Sequence, residues 1–204
     1  YAMPNLALSY QIFYNKNAFD LAGVPHWTDP NITWDEFLDL AQALTKDFDN
    51  DGVIDQYGFA LFHRTDYRMG GFAAWLMGNG GRLWSEDWET PMWNSPEAIE
   101  TAQYLQDLVY EYEVSPVPTA GEAGFRDSRS LFIDGKAAMV ISYTGFFRGF
   151  GSGNPDLIDN WGVINIPYNE APVGIMFGTG MTIISNSEHP YAAWKWIELY
   201  NSDK

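Results

Sequence analysis

The stretch with the clearest chemistry is Asp47-Phe48-Asp49-Asn50-Asp51-Gly52-Val53-Ile54-Asp55. Carboxylates at the first, third and fifth positions, glycine at the sixth, an apolar eighth residue and a carboxylate at the ninth follow the order of an EF-hand calcium loop. In such a loop alternate side chains converge on one hard cation, glycine permits the tight turn, and Val53 offers its backbone carbonyl. Four carboxylates this close repel one another unless a cation sits among them. The twelfth position is Gly58 instead of a bidentate glutamate, so Gln56 or a carboxylate from elsewhere has to close the shell. A bound Ca2+ here is structural: it stabilises the fold by mass action and performs no chemistry. The competing reading is a solvated acidic turn between a helix and a strand.

Catalytic patterns are poorly represented. His26, His63 and His189 are scattered, no H-E-x-x-H or G-x-S-x-G occurs, and Gly149, Gly151 and Gly153 lack both a P-loop Lys-Ser/Thr and a full G-x-G-x-x-G. Glu86, Asp87 and Glu89 beside Trp84, Trp88 and Trp93 imitate a sugar-cleaving cleft, but an exposed acidic loop with packed tryptophans accounts for them better, since carboxylate identity alone does not establish a paired geometry. A protein without enzymatic activity is expected, with a glycan-active hydrolase as the alternative.

These residues need a scaffold, and the periodicities supply one. Leu6 to Tyr14 reads as a buried strand, Asn15 to Gly23 as a short helix, and Thr33 with Glu36 as a capping box opening a helix whose inner face is Trp34, Phe37, Leu38, Ala41 and Leu44. Tyr57 to Phe62 is a strand, and Gly70 to Gly81 a helix stopped by glycines. Ser95-Pro96 starts a helix with a stripe of Ala98, Ile99, Ala102, Leu105, Leu108 and Val109. A short helix ends at Gly135 with Phe125, Leu131 and Phe132 inward. Strands follow at Ala137 to Tyr143, Trp161 to Ile166 and Met181 to Ile184, then a helix after Pro190 burying Ala193, Trp196, Ile197 and Tyr200. Strands alternating with helices indicate an α/β protein.

Composition narrows the partners. Eleven basic against 27 acidic residues give the 204-residue chain a net charge of −16, which removes nucleic acid as a partner, and 46 % apolar content excludes a disordered tail. There is no cysteine, hence no disulfide or thiolate metal site. No apolar run reaches the roughly 18 to 20 residues needed to span a bilayer. The chain opens on Tyr1 in mid-pattern, as an excised piece would. Nine Trp, twelve Tyr and thirteen Phe serve cores and the stacking of sugar rings alike, with packing taking the larger share.

Several segments together resemble the family 1 extracellular solute-binding proteins, the sugar-capturing components of ABC importers related to maltose-binding protein. They are Phe13-Tyr14-Asn15-Lys16-Asn17-Ala18-Phe19, Ala22-Gly23-Val24-Pro25, Thr33-Trp34-Asp35-Glu36-Phe37, Tyr57-Gly58-Phe59, Asn79-Gly80-Gly81, Asn94-Ser95-Pro96-Glu97-Ala98, Gly135-Lys136-Ala137-Ala138-Met139 and Ala192-Ala193-Trp194-Lys195. Singly each is weak; in this order, over nearly the whole chain, they are specific.

The resemblance implies a periplasmic-binding-protein-like fold of type II, of which this chain is mainly one lobe. It implies a crossing strand over 1–14, the second, C-terminal lobe over 15–170, and a returning strand and helix of the first lobe over 171–204. It also implies a monomeric extracytoplasmic protein that captures a mono- or oligosaccharide for ABC-transporter permease subunits, with any lipid anchor outside this chain. Some family members carry a calcium loop where Asp47, Asp49, Asp51, Val53, Asp55 and Gln56 stand, just before the Tyr57-Gly58 pair. Ligand contacts carried over by position are Tyr10; Asp66, Tyr67 and Arg68; Phe146, Phe147 and Arg148, with Phe146 in place of a stacking tryptophan; and Phe177, Gly178 and Thr179. A calcium-stabilised interaction domain without a sugar ligand is the remaining alternative.

Overall fold

Strand β1 (Met3–Asn15) serves two compact units, Tyr10–Ile175 and the pair Tyr1–Ser9 with Met176–Lys204. The computed structural model describes residues 2–61, 68–117, 128–146 and 154–202, with backbone only for 68–70. The division falls inside the strand expected to end at residue 14, and beyond the boundary expected at 170.

In the larger unit the sheet order is β2 (Tyr57–Ala60), β3 (Ala137–Tyr143), β1, β4 (Trp161–Ile164). β2 and β3 are parallel, whereas β1 runs antiparallel to both neighbours, with Phe13 opposite Val140 and Val163. β3 is buried from Ala137 to Ser142, as its nearly unbroken apolar run requires of a strand covered on both faces. β4 stops at Ile164 instead of Ile166 because the chain turns away to bond another segment: Asn165 N donates to Pro30 O and Tyr168 N to Ile32 O.

The helices form where local chemistry specifies them. The Asn15 side chain accepts from the amides of Asn17 and Ala18 at the head of α1 (Lys16–Ala22), and Gly23 ends it in the left-handed region at φ 70°. Thr33 and Glu36 form the expected capping box of α2 (Trp34–Leu44). After α3 (Arg68–Gly78), Ser95 caps α4 (Pro96–Tyr110) with proline in the first turn. The buried stripe of α4 is Ala98, Thr101, Leu105, Leu108 and Val109, which corrects the expected one. Spacings of three and four counted from Ala98 place Thr101 inward, while Ile99 and Ala102 turn to solvent. α5 (Ser128–Ile133) buries Phe132, with Leu131 half-buried; Phe125 and Phe62 lie outside the described residues.

Among the described residues, aromatic side chains cluster in the core of this unit. Trp75 and Phe59 meet Phe37 edge-on at 5.5 and 5.1 Å, beside the sheet face that carries α2. Phe13, Phe132 and Phe146 form a second cluster with Ala60, Val140 and Leu157.

In the smaller unit, residues Met3–Ser9 of β1 pair antiparallel with β5 (Met176–Met181), from Met3 opposite Met181 to Ser9 opposite Met176. The strand expected over Met181–Ile184 therefore lies earlier in the chain, where β1 offers a ladder. The last helix, α6 (Pro190–Tyr200), starts at Pro190 as expected but buries only Ile197. Ala193 is half-buried, whereas Trp196 and Tyr200 are more than half exposed and stack on each other at 5.5 Å, because this unit has too few elements to cover them. Among the described residues, no helix is long and apolar enough to cross a membrane.

Candidate functional site

The acidic loop hangs between the end of α2 and β2, closed by a bridge in which Lys46 and Gln56 exchange backbone hydrogen bonds of 2.8 and 3.0 Å. Its carboxylates organise it by accepting backbone amides. Asp47 Oδ2 accepts from Gly52 N at 2.9 Å, Asp51 Oδ1 from Val53 N at 2.8 Å, and Asp55 Oδ2 from Phe48 N at 2.8 Å. Asn50 and Gly52 take φ of 60° and 88°, which permits the sharp reversal. Amide donation, chiefly from Gly52, holds the Asp47 carboxyl below its ordinary range, since hydrogen bonds to the charged form favour it.

One oxygen each from Asp47, Asp49 and Asp55 lie within 4.8 Å of one another. Three hard anionic oxygens drawn together in an exposed loop suit a hard divalent cation. The Asp51 carboxylate stands outside this trio. Gln56 does not serve as expected: its side chain is 2 % exposed, and Nε2 donates to Leu44 O at 2.9 Å. This amide anchors the loop's exit to the last carbonyls of α2, so its direction is set by the helix end that needs a donor.

The residues expected to meet a ligand fall in different units. Tyr10 pairs with Tyr143 in the β1–β3 ladder and is 7 % exposed, which makes it a core residue and not an open wall. Phe146 is likewise corrected. It is 6 % exposed, edge-on to Phe13 at 5.5 Å and beneath the Arg129 guanidinium at 5.8 Å, so no ring face is free to cover a sugar. Phe177, Gly178 and Thr179 lie in β5, where Phe177 is half-buried and Thr179 Oγ1 donates to Asn5 Oδ1 at 2.7 Å. Arg68 opens α3, its side chain being outside the described residues, as are Asp66, Tyr67, Phe147 and Arg148.

Concave surface in the larger unit lies elsewhere. A cavity of about 890 Å³ is floored by Trp34 and Tyr104, whose rings stack at 4.2 Å and 10°, and rimmed by Asp35, Glu100 and Asp107. Another, of about 620 Å³, lies between Pro25, Trp27, Glu36 and Tyr168.

Sequence reasoning saw Asn79 only as part of a motif. It is the polar hub between α3 and α4: buried, with Nδ2 donating to Glu97 O at 3.2 Å and Glu100 Oε2 at 2.9 Å, and Oδ1 accepting from Asn169 at 2.8 Å. Gly80 follows at φ 74°, and a Cβ on Gly81 would meet Leu76 Cδ1 at 2.2 Å, which accounts for the Asn-Gly-Gly sequence in steric terms.

The chain resembles known proteins along its whole length. A binding protein of Brucella abortus is 26 % identical over 212 residues, spanning 100 % of this chain and 47 % of the relative. A solute-binding protein of an ABC transporter from Thermotoga lettingae, solved with α-D-tagatose, superposes with a TM-score of 0.84 at 28 % identity, over 99 % of this chain and 50 % of the other. A Listeria monocytogenes ABC substrate-binding protein in complex with cycloalternan gives 0.81 at 25 %, over 100 % of this chain and 48 % of the other. This chain thus spans about half the length of its relatives, and its mixed α/β sheet is that of type II periplasmic-binding-protein-like structures. With the model of the bacterial extracellular solute-binding proteins matching residues 1–204, the chain belongs to that family.

Proposed function

We propose that the protein containing this chain captures a carbohydrate outside the cytoplasm and delivers it to the permease subunits of an ABC importer, without catalysing a reaction on it. The observation that carries this reading is the whole-chain superposition on a tagatose-bound relative at 28 % identity. A cyclic oligosaccharide in a second relative extends the ligand class from monosaccharide to oligosaccharide.

Tyr10–Ile175 supplies most of one lobe in this reading, and the strand pair with α6 belongs to the other. The exposed side chains of Trp194, Trp196, Leu199 and Tyr200 fit that assignment, since the relatives continue through a half that this chain does not span. Closure of two lobes on the solute then presents one conformation to the transporter. The protein acts as a monomer. Asp66, Tyr67 and Arg68 with Phe147 and Arg148 are proposed to supply solute contacts on the first of these lobes, and Phe177, Gly178 and Thr179 on the second.

Ca2+ is proposed as a structural ion held by Asp47, Asp49 and Asp55, with the Val53 carbonyl and Asp51 available to the shell. The oxygens already gathered there support this donor set.

Isothermal titration of the full-length protein with a panel of monosaccharides, sugar alcohols and oligosaccharides tests the reading. At least one carbohydrate is expected to bind with micromolar or tighter affinity and to raise Tm. A panel that shifts neither heat nor Tm, or turnover of an oligosaccharide by the purified protein, overturns it.

A further inference from the structure

The cavity of about 620 Å³ beside Trp27 is used by neither the acidic loop nor the proposed solute contacts. Its described lining comes from the link between α1 and α2, from α2 at Glu36 and Leu40, and from Tyr168. Tyr168 follows β4, at the opposite edge of the sheet from β2, which leads to Asp66, Tyr67 and Arg68. The link is tied down at intervals. Tyr14 Oη donates to Trp27 O at 3.3 Å, His26 Nε2 lies 2.9 Å from Asp20 Oδ1, and Pro30 O and Ile32 O accept from Asn165 N and Tyr168 N at 2.9 and 3.1 Å. These ties preform a hollow of the size that small-molecule pockets have, so binding demands little further ordering.

Trp27 carries an orphan. Its indole Nε1 is buried without a hydrogen-bond partner, a state that native structures seldom leave unexplained. Val24 to Asp29 form neither helix nor strand, so the ring turns its N–H into the cavity without breaking a ladder. The same cavity carries the carboxylates of Asp29 and Glu36. Asp29 Oδ1 accepts from Asn31 N at 2.9 Å, and Glu36 Oε2 accepts from Thr33 N at 2.9 Å and Thr33 Oγ1 at 2.8 Å, which leaves each carboxylate acceptor capacity on its other oxygen. Donation from Thr33 also holds the Glu36 carboxyl below its ordinary range, so it accepts as an anion.

These groups choose a ligand by what each one lacks. The indole needs an acceptor and the carboxylates need donors. An anion accepts but meets two negative charges, and His26, the basic side chain of the described lining, is already engaged by Asp20. An ammonium ion donates but offers the indole nothing. A hydroxyl does both at one oxygen, and a polyol repeats it on a skeleton whose C–H faces suit Trp27, Pro25 and Leu40. We propose that this cavity is a second carbohydrate site, taking a neutral sugar ring or linear polyol, with Trp27 Nε1 donating to a ligand hydroxyl that itself donates to Glu36 or Asp29. The site goes beyond the importer reading and stands on its own side chains.

The test is an NMR titration of the full-length protein, isotope-labelled at nitrogen, with D-glucose and with D-sorbitol. Trp27→Phe keeps a ring in the wall, deletes the donor and identifies the Trp27 indole peak by its loss. That peak is expected to move downfield with millimolar saturation, together with the backbone amides of Thr33 and Tyr168. Read from those two amides, Trp27→Phe should weaken the site about 3–10-fold and leave Tm close to wild type, because no hydrogen bond is lost; a packing role alone would lower Tm and spare the affinity. A Trp27 peak that stays in place with both polyols overturns the proposal, as does an equal shift with trimethylammonium or acetate. A shift that follows the tight, one-to-one curve of a cleft solute reports lobe closure and overturns it too, with the importer reading intact. A Trp27 response in a protein that binds no carbohydrate tightly supports the second site and counts against the importer reading.

Discussion

Gly58 of β2 runs so close to Ala41 of α2 that a Cβ on Gly58 would stand 1.9 Å from the Ala41 carbonyl oxygen. The Thr45 hydroxyl joins the same contact, donating to Ala41 O at 2.8 Å and accepting from Gly58 N at 2.9 Å. Helix and strand thus meet backbone to backbone. The twelfth position of the acidic loop falls on this glycine, so no side chain of any kind fits there, and the glutamate of an EF-hand is excluded by packing.

Gly58→Ala should therefore destabilise the protein by about 3 kcal/mol, the upper range for overpacking a close contact. Gly23→Ala is the control: φ is 70° there with open space around it, and the expected cost is about 1 kcal/mol of backbone strain. Urea unfolding of both variants measures the difference. Equal losses would show that the β2–α2 approach is looser than described.

Calcium should raise Tm of the full-length protein, and chelator should lower it. At a hundredfold excess over Kd the ion contributes about 2.7 kcal/mol, and Asp49→Asn should abolish most of the shift. Protonation acts in the same direction. The folded-state pKa of Asp47 is depressed, so its contribution is present above the ordinary value of 3.8 and is lost as pH falls through that value and below. Unchanged Tm and metal content after chelation would sink the calcium assignment.

Asn79→Ala removes a buried amide with partners on α4 and on the Asn169 segment. Its expected cost is about 1–3 kcal/mol, because the buried Thr101 hydroxyl and the half-buried Glu97 carbonyl lose their donor, whereas Glu100 and Asn169 are exposed and turn to water. Chemical denaturation reads this directly, and a loss of under about 0.5 kcal/mol would mean that α3 and α4 are joined by other contacts.

Tyr104→Phe keeps the ring stacked on Trp34 and deletes only the hydroxyl that donates to Trp34 O at 2.8 Å, for about 1 kcal/mol near neutrality. Burial, with Asp35 adding to it, pushes the Tyr104 phenol well above its ordinary 10.0. A raised folded pKa gives stability that is complete below the unfolded value and is lost as pH rises past it, since the unfolded chain ionises first. Wild type should thus lose stability above pH 10 more steeply than Tyr104→Phe. Parallel alkaline profiles would contradict this.

What could be read from the sequence was what neighbouring residues decide. The Thr33 capping box, the Ser95 cap with Pro96, and the glycine stop at Gly23 depend on a few adjacent groups, and all form as their chemistry requires. The spacing of Asp47, Asp49 and Asp55 likewise foretold their convergence. Distant partners were not legible. β5 takes its position from a strand at the other end of the chain, and Phe146 turns inward to pack with Phe13 and Phe132, which lie far from it in sequence. Gln56 shows the same limit: a polar side chain beside an acidic loop looks like a ligand until the free carbonyl of Leu44 claims it.

The pairing of Met3–Ser9 with Met176–Met181 also sets an order of events during synthesis. The early half of this ladder leaves the ribosome long before its mate, and the whole of Tyr10–Ile175 can collapse in the interval. Loop-closure entropy grows only slowly with the length of that intervening chain, and a prefolded insert shortens the search further. Until then, the edge of Met3 to Ser9 that β5 will cover lacks its ladder partner. Pro4, which lacks an amide, and the irregular register between Pro4 and Leu6 interrupt that edge, so a segment that must wait for its partner is poorly suited to pairing with the wrong chain.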